Sequence, residues 1–178
     1  MGQSRRSINQ LAGKKKSRQS ASAPLSHQPP ADYRINLKIA PPFRHHLQQA
    51  PLRAAAEAVL RFAAPATCPG ELTILITGET ELRRLNRAHR QLDRATDVLA
   101  FPCGECDPDS DRYYWGDVVI SYPRARRQAH AAGHSIQAEV QLLIVHGILH
   151  LLGYDHATAQ QTNQMWTAQA AILAIIEQ

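Results

Sequence analysis

Apolar and polar residues alternate from Tyr33 to Ile39 and again from Glu71 to Thr77, the period of a strand with one face buried. Shorter apolar runs from Asp97 to Phe101 and from Asp117 to Ser121 predict two further strands, with an acidic, Pro-containing loop between them. Helical spacing governs the rest. Pro51 opens an Ala-rich amphipathic run to Ala64, and Gly78 precedes a helix through about Arg90. Pro123 to Ala132 forms a third helix ended by Gly133, Ser135 is placed to cap a fourth, and Thr158 to Ile176 forms a fifth. No internal repeat is present. Helices alternating with strands, then three helices in succession, predict an α+β (α/β-like) single domain: a sheet of about four strands packed with about five helices. The pattern does not say which strands run parallel.

The fourth helix departs from simple amphipathicity. At about 100° per residue, Leu142, Val145, Ile148, Leu149, Leu151 and Leu152 cover most of its circumference, leaving a narrow sector with His146, Gly147 and His150. A helix so covered is central and buried, and a buried imidazole needs a partner at each nitrogen. His146 and His150 are one turn apart, roughly 5–6 Å between Cβ atoms, so both rings can reach one ion. Gly153 can end the helix in a left-handed conformation and turn the chain back so that His156 faces the same point. Three histidines with an open fourth position are the ligand set of catalytic zinc. The alternative is two core histidines bonded to carbonyls with His156 at the surface; the added Gly and third His favour one zinc ion per chain. The spacing equals that of the long zinc-protease motif, but Gly147 stands where that motif carries its general-base glutamate. A protease reading loses its central group, and the glycine is expected to leave open space beside the ion. A substrate with its own ionised groups, such as a phosphodiester, could rely on a metal and a nearby cation instead.

Three segments carry a family resemblance. The run His146-Gly147-Ile148-Leu149-His150-Leu151-Leu152-Gly153-Tyr154-Asp155-His156 resembles the signature of the YbeY family, metal-dependent endoribonucleases of small-subunit ribosomal RNA maturation and ribosome quality control. The stretch from Leu85 through Thr96-Asp97-Val98-Leu99-Ala100-Phe101-Pro102 is similar to a second family block, with His89 and Ala100 in place of its usual Tyr and Ser. Gly116-Asp117-Val118-Val119-Ile120 resembles a third. The resemblance spans roughly residues 33 to 176. It implies a mixed sheet with the metal helix beside a cleft, His146, His150 and His156 as metal ligands, and Arg90 as the functional arginine. A planar, permanently charged fork suits Arg90 to phosphate oxygens, although an exposed arginine at a helix end is also favoured by the helix dipole. Arg87 and Arg94 are candidate RNA contacts. Asp155 either orients a histidine from behind or caps the following helix. The activity implied is a single-strand-preferring endoribonuclease acting in 16S rRNA 3′ end maturation. Its implied partners are precursor rRNA and the ribosomal small subunit, with ribosomal proteins or assembly GTPases beside them. The rival readings are a noncatalytic assembly factor with a structural metal, and a zinc hydrolase of another substrate.

Composition refines this picture. A chain of 178 residues with 44% hydrophobic content fits one sizeable core. Net charge is +5, but Arg5, Arg6, Lys14, Lys15, Lys16 and Arg18 lie in residues 1–30 with no acidic residue, so the remainder carries −1. Residues 1–30 read as a disordered basic tail, and the resemblance implies that 31–178 are a YbeY-like metallo-endoribonuclease domain. The tail could add nonspecific RNA affinity, act as an organelle transit peptide, or be dispensable. Within the domain, Arg83, Arg84, Arg87, Arg90 and Arg94 form the best basic cluster, with Arg124, Arg126 and Arg127 next. Three cysteines form no closed disulfide framework, and Cys103-Gly104-Glu105-Cys106 reads as an idle or redox-sensitive pair. No secretory segment or membrane span is evident, and a cytoplasmic location is expected.

Overall fold

The computed structural model describes residues 32–65, 69–107 and 112–177. The expected tail, residues 1–30, lies outside them.

Strands β1 (Tyr33–Ile39), β2 (Gly70–Thr77), β3 (Val98–Asp107) and β4 (Arg112–Ser121) form one mixed sheet in the order β1-β2-β4-β3. β1 and β4 run parallel to β2, and β3 is antiparallel to β4 at the edge. Period-two alternation decides which face each side chain serves. Leu72, Ile74 and Ile76 of β2 and Val118 and Ile120 of β4 enter the main core, while Val119, one residue out of phase, belongs to a second, smaller cluster on the opposite face.

Helices cover the two faces unequally. The main core is closed by α1 (Gln49–Ala63), α4 (Ile136–Leu151) and α5 (Ala159–Ile176), and the second face by α2 (Glu79–Arg90), whose Leu82 packs on Leu99 and Val119. α1 buries Leu52, Ala55, Ala56, Val59 and Leu60, the i, i+3, i+4, i+7, i+8 stripe that its Ala-rich sequence predicts. Pro51 sits in its first turn, where a missing N–H costs no intrahelical bond. α3 (Tyr122–Ala132) ends at Gly133 with φ 74°, and α4 starts with Ser135 accepting from the N–H of Ala138. α4 is the central element, with Val140, Leu143, Ile144, Val145, Ile148 and Leu149 all buried. At roughly 1.5–3 kcal/mol per buried aliphatic side chain, this one helix anchors the domain.

Two details differ from the sequence reading. Pro41–His46 forms a short 3-10 helix, held by Phe43 stacking on Tyr122 with ring centroids 4.7 Å apart. The loop expected between the last two strands is instead mostly strand. β3 and β4 are each ten residues long, and their pairing shifts register between Pro102 and Glu105. Gly116 has φ 127°, and a Cβ there would meet the carbonyl oxygen of Phe101 at 2.1 Å; the ladder closes because this position carries no side chain. Among the described residues, five α-helices and the 3-10 helix accompany the sheet.

Candidate metal centre

The end of α4 is built as its sequence demands. Gly153 has φ 87°, its N–H donates to the carbonyl of His150 at 3.1 Å, and the N–H of Tyr154 donates to that of Leu149 at 3.0 Å. This is the Schellman arrangement, and it reverses the chain directly below the two helical histidines. His156 returns to them, with ring centroids 5.9 Å from His146 and 5.1 Å from His150. One ligand atom from each of the three lies within 4.8 Å of the others, so the cluster could hold a metal ion.

Hydrogen bonding around the rings fits a cation. The Nε2 atoms of His146 and His150 face each other at 3.2 Å. Two ligands at about 2.0–2.1 Å from one tetrahedral zinc stand about 3.3 Å apart, so this spacing already suits the ion. His146 Nδ1 donates to Gln169 Oε1 at 3.1 Å. The Tyr154 backbone beside His150 raises the basicity of that ring, against the larger effect of burial. With its Nδ1 donating to Gln169, His146 turns the Nε2 lone pair toward His150 and His156. Burial is the main reason that both imidazoles titrate below the ordinary histidine value, which keeps them in the neutral, metal-binding form. His156 is exposed and is the ring free to adjust.

Around the triad lies a cavity of about 560 Å³. Its walls include Arg90, Thr96, Asp97 and Tyr154 beside the three histidines. Arg90 is the last residue of α2 and makes no ion pair among the described residues. The turn after it is fixed by Gln91 at φ 58° and by buried Asn86, which donates to the carbonyl of Arg94 at 2.8 Å. Arg87 and Arg94 are exposed and do not line the cavity. The basic clusters are weaker than a count of arginines suggests: Arg83 pairs with Asp93, Arg84 with Glu81, and Arg124 and Arg127 with Glu79.

Two expectations are corrected. Gly147 lines the histidine cavity, but the direction of its missing side chain is filled by the sheet and adds no space beside an ion. A Cβ there would lie 2.5 Å from Val118 Cγ1 and 3.4 Å from Val98 Cγ2, so the glycine lets α4 press onto the sheet. A glutamate at this position would be excluded sterically. Asp155 accepts from the backbone N–H of its neighbour His156 at 2.8 Å and, among the described residues, hydrogen-bonds to no histidine ring. The cap of α5 is Thr158, in a reciprocal box with Gln161.

Two polar residues at the site escaped the sequence reading. The Asp97 carboxylate is half-buried, and that burial pushes its pKa up; hydrogen bonds from Gln128, Thr96 and the N–H of Val98 outweigh this and hold it below the ordinary value. Its negative charge raises the basicity of His146. Gln169 is the other, and its trace in the sequence is a polar residue set in the apolar stripe of Met165, Ala168 and Ile172.

A mixed four-stranded sheet and a central helix with two histidines one turn apart, joined by a third that a glycine turn brings back, define an α+β protein with a three-histidine cluster that could hold a metal ion. Comparison with known proteins narrows this class. The sequence profile described as endoribonuclease YbeY matches residues 42–177. A protein of that name from Dehalococcoides mccartyi (strain CBDB1) is 42% identical over 134 residues, covering 68% of this chain and 80% of the relative. One from Moorella thermoacetica is 40% identical over 151 residues, covering 81% and 90%. The chain belongs to the endoribonuclease YbeY family. A solution structure from Thermotoga maritima shares the fold with a TM-score of 0.55 at 23% identity, covering 80% of this chain and 88% of that one.

Proposed function

We propose that this protein is a metal-dependent endoribonuclease that cuts single-stranded RNA, acts in the 3′ end maturation of 16S rRNA and in ribosome quality control, and carries one zinc ion on His146, His150 and His156. The observation that carries the reading is the shared cavity: an arginine with no ion-pair partner among the described residues opens onto the same space as three converging imidazoles. Family membership supports the nuclease class. Zinc at this position would supply Lewis-acid stabilisation of charge on a phosphodiester. Arg90 binds a nonbridging phosphate oxygen and offsets charge that develops there, acting as a fixed fork at a helix end. Asp97 stays ionised and holds the edge of the cavity through its three hydrogen bonds, keeping His146 more basic than burial alone would leave it. A cavity open to solvent suits unpaired nucleotides, which can be splayed into it. On this reading its partners are precursor rRNA and the ribosomal small subunit, in the cytoplasm.

Metal removal separates a catalytic from a structural role. Stripping the ion with a chelator should abolish RNA cleavage while the far-ultraviolet circular dichroism spectrum is retained, and adding zinc should restore activity. Unfolding on metal removal would assign the ion a structural role, and cleavage surviving it would remove the metal from the chemistry.

A further inference from the structure

Gln169 has no part in the chemistry proposed for Arg90 and the three histidines. It lies on α5, whose Met165, Ala168 and Ile172 are packed into the core and whose first turn is locked by the Thr158–Gln161 box. Its amide is therefore held by a rigid element, half-buried, with Oε1 3.1 Å from His146 Nδ1. An acceptor at that distance requires the proton on Nδ1. The reverse amide orientation would place an N–H against Nδ1, move the ring proton to Nε2 and point it at the lone pair of His150, 3.2 Å away. In that state His146 could not ligate through Nε2. We propose that Gln169 is the positioning residue of His146: its side-chain carbonyl selects the Nδ1–H tautomer and fixes the ring plane, so that Nε2 is a lone-pair donor before any metal arrives. It reaches no substrate and acts only through the histidine. Order at the site then comes from two parts of the chain: Gln169 on α5 for His146, and the Gly153 turn for His156.

The metal half of this inference rests on the proposed three-histidine zinc site; the tautomer half does not. Two variants separate the role from packing. Gln169→Met keeps length and suits the apolar stripe but removes the acceptor, whereas Gln169→Glu keeps the acceptor. Long-range 1H–15N NMR of the full-length metal-free chain should show His146 as the Nδ1–H tautomer in wild type and Gln169→Glu, and shifted toward Nε2–H in Gln169→Met. Competition against a chromogenic chelator should show zinc bound roughly 10–100-fold more weakly by Gln169→Met, with affinity retained in Gln169→Glu. Co2+ substitution should give a changed visible spectrum in Gln169→Met alone. An unchanged tautomer, or zinc affinity in Gln169→Met equal to wild type, would overturn the proposal. A wild type that shows the Nδ1–H tautomer but binds no zinc would refute the metal site while leaving the tautomer assignment standing.

Discussion

The direction a side chain of Gly147 would take is filled by Val118. Replacing Gly147 with alanine should gain about 0.5–1 kcal/mol from helix propensity and lose more to the overlap, for a net destabilisation of roughly 1–3 kcal/mol by urea denaturation. The double variant with Val118→Ala should recover part of that loss. A Gly147→Ala protein as stable as wild type would mean that the helix does not press on the sheet there. The histidines predict a pH dependence of the same residue-level kind. His146 and His150 titrate below the ordinary value of 6.5, chiefly through burial. Between 6.5 and their lowered values the unfolded chain binds more protons than the folded one, so stability of the metal-free protein should fall as pH drops through that window. Denaturation curves collected from neutral to mildly acidic pH would test this, and His150→Ala should flatten the dependence.

At the scale of elements, the helix α4 and its exit turn were the most legible part of the chain. Ser135, the all-round apolar pattern and Gly153 each do locally what their residue types do elsewhere. Nothing approaches within 4 Å of a Cβ built on Gly153, so its requirement is purely conformational. Gly153→Ala should cost about 1–2 kcal/mol for holding a left-handed alanine. It should also weaken zinc binding in a chelator competition, because the same turn carries His156. If stability falls and zinc affinity does not, His156 is not a ligand. The hairpin of β3 and β4 was much less legible. Its acidic and Pro-containing residues look like a loop, and only cross-strand pairing, with Gly116 admitting the bulge beside Phe101, makes them strand. Gln169 was hidden for a related reason: period locates a face, but the partner that makes a polar residue fit that face is more than twenty residues away.

Across the whole molecule, the architecture followed from the order of elements, while strand direction did not. Parallel β1-β2-β4 with an antiparallel edge is a choice among pairings that one strand pattern allows. Charge also reads differently in three dimensions. Arg83, Arg84, Arg124 and Arg127 spend their charge on carboxylates of their own domain, and Arg90 is the arginine that faces the histidine cavity. No helix of the described residues is long and apolar enough to cross a membrane. The candidate site therefore lies at one end of α4, where that helix, its exit turn and the end of α2 meet.

The measurement that tests this most directly is cleavage of a single-stranded RNA spanning the 3′ end of precursor 16S rRNA, by zinc-loaded wild type beside folded His150→Ala and Arg90→Ala variants at matched concentration. Wild type should cleave and both variants should not, and the product ends would show the attacking group, a 2′,3′-cyclic phosphate marking the 2′-hydroxyl. Equal cleavage by all three proteins would contradict the proposed function, since neither the histidine cluster nor Arg90 would then be responsible for the cut.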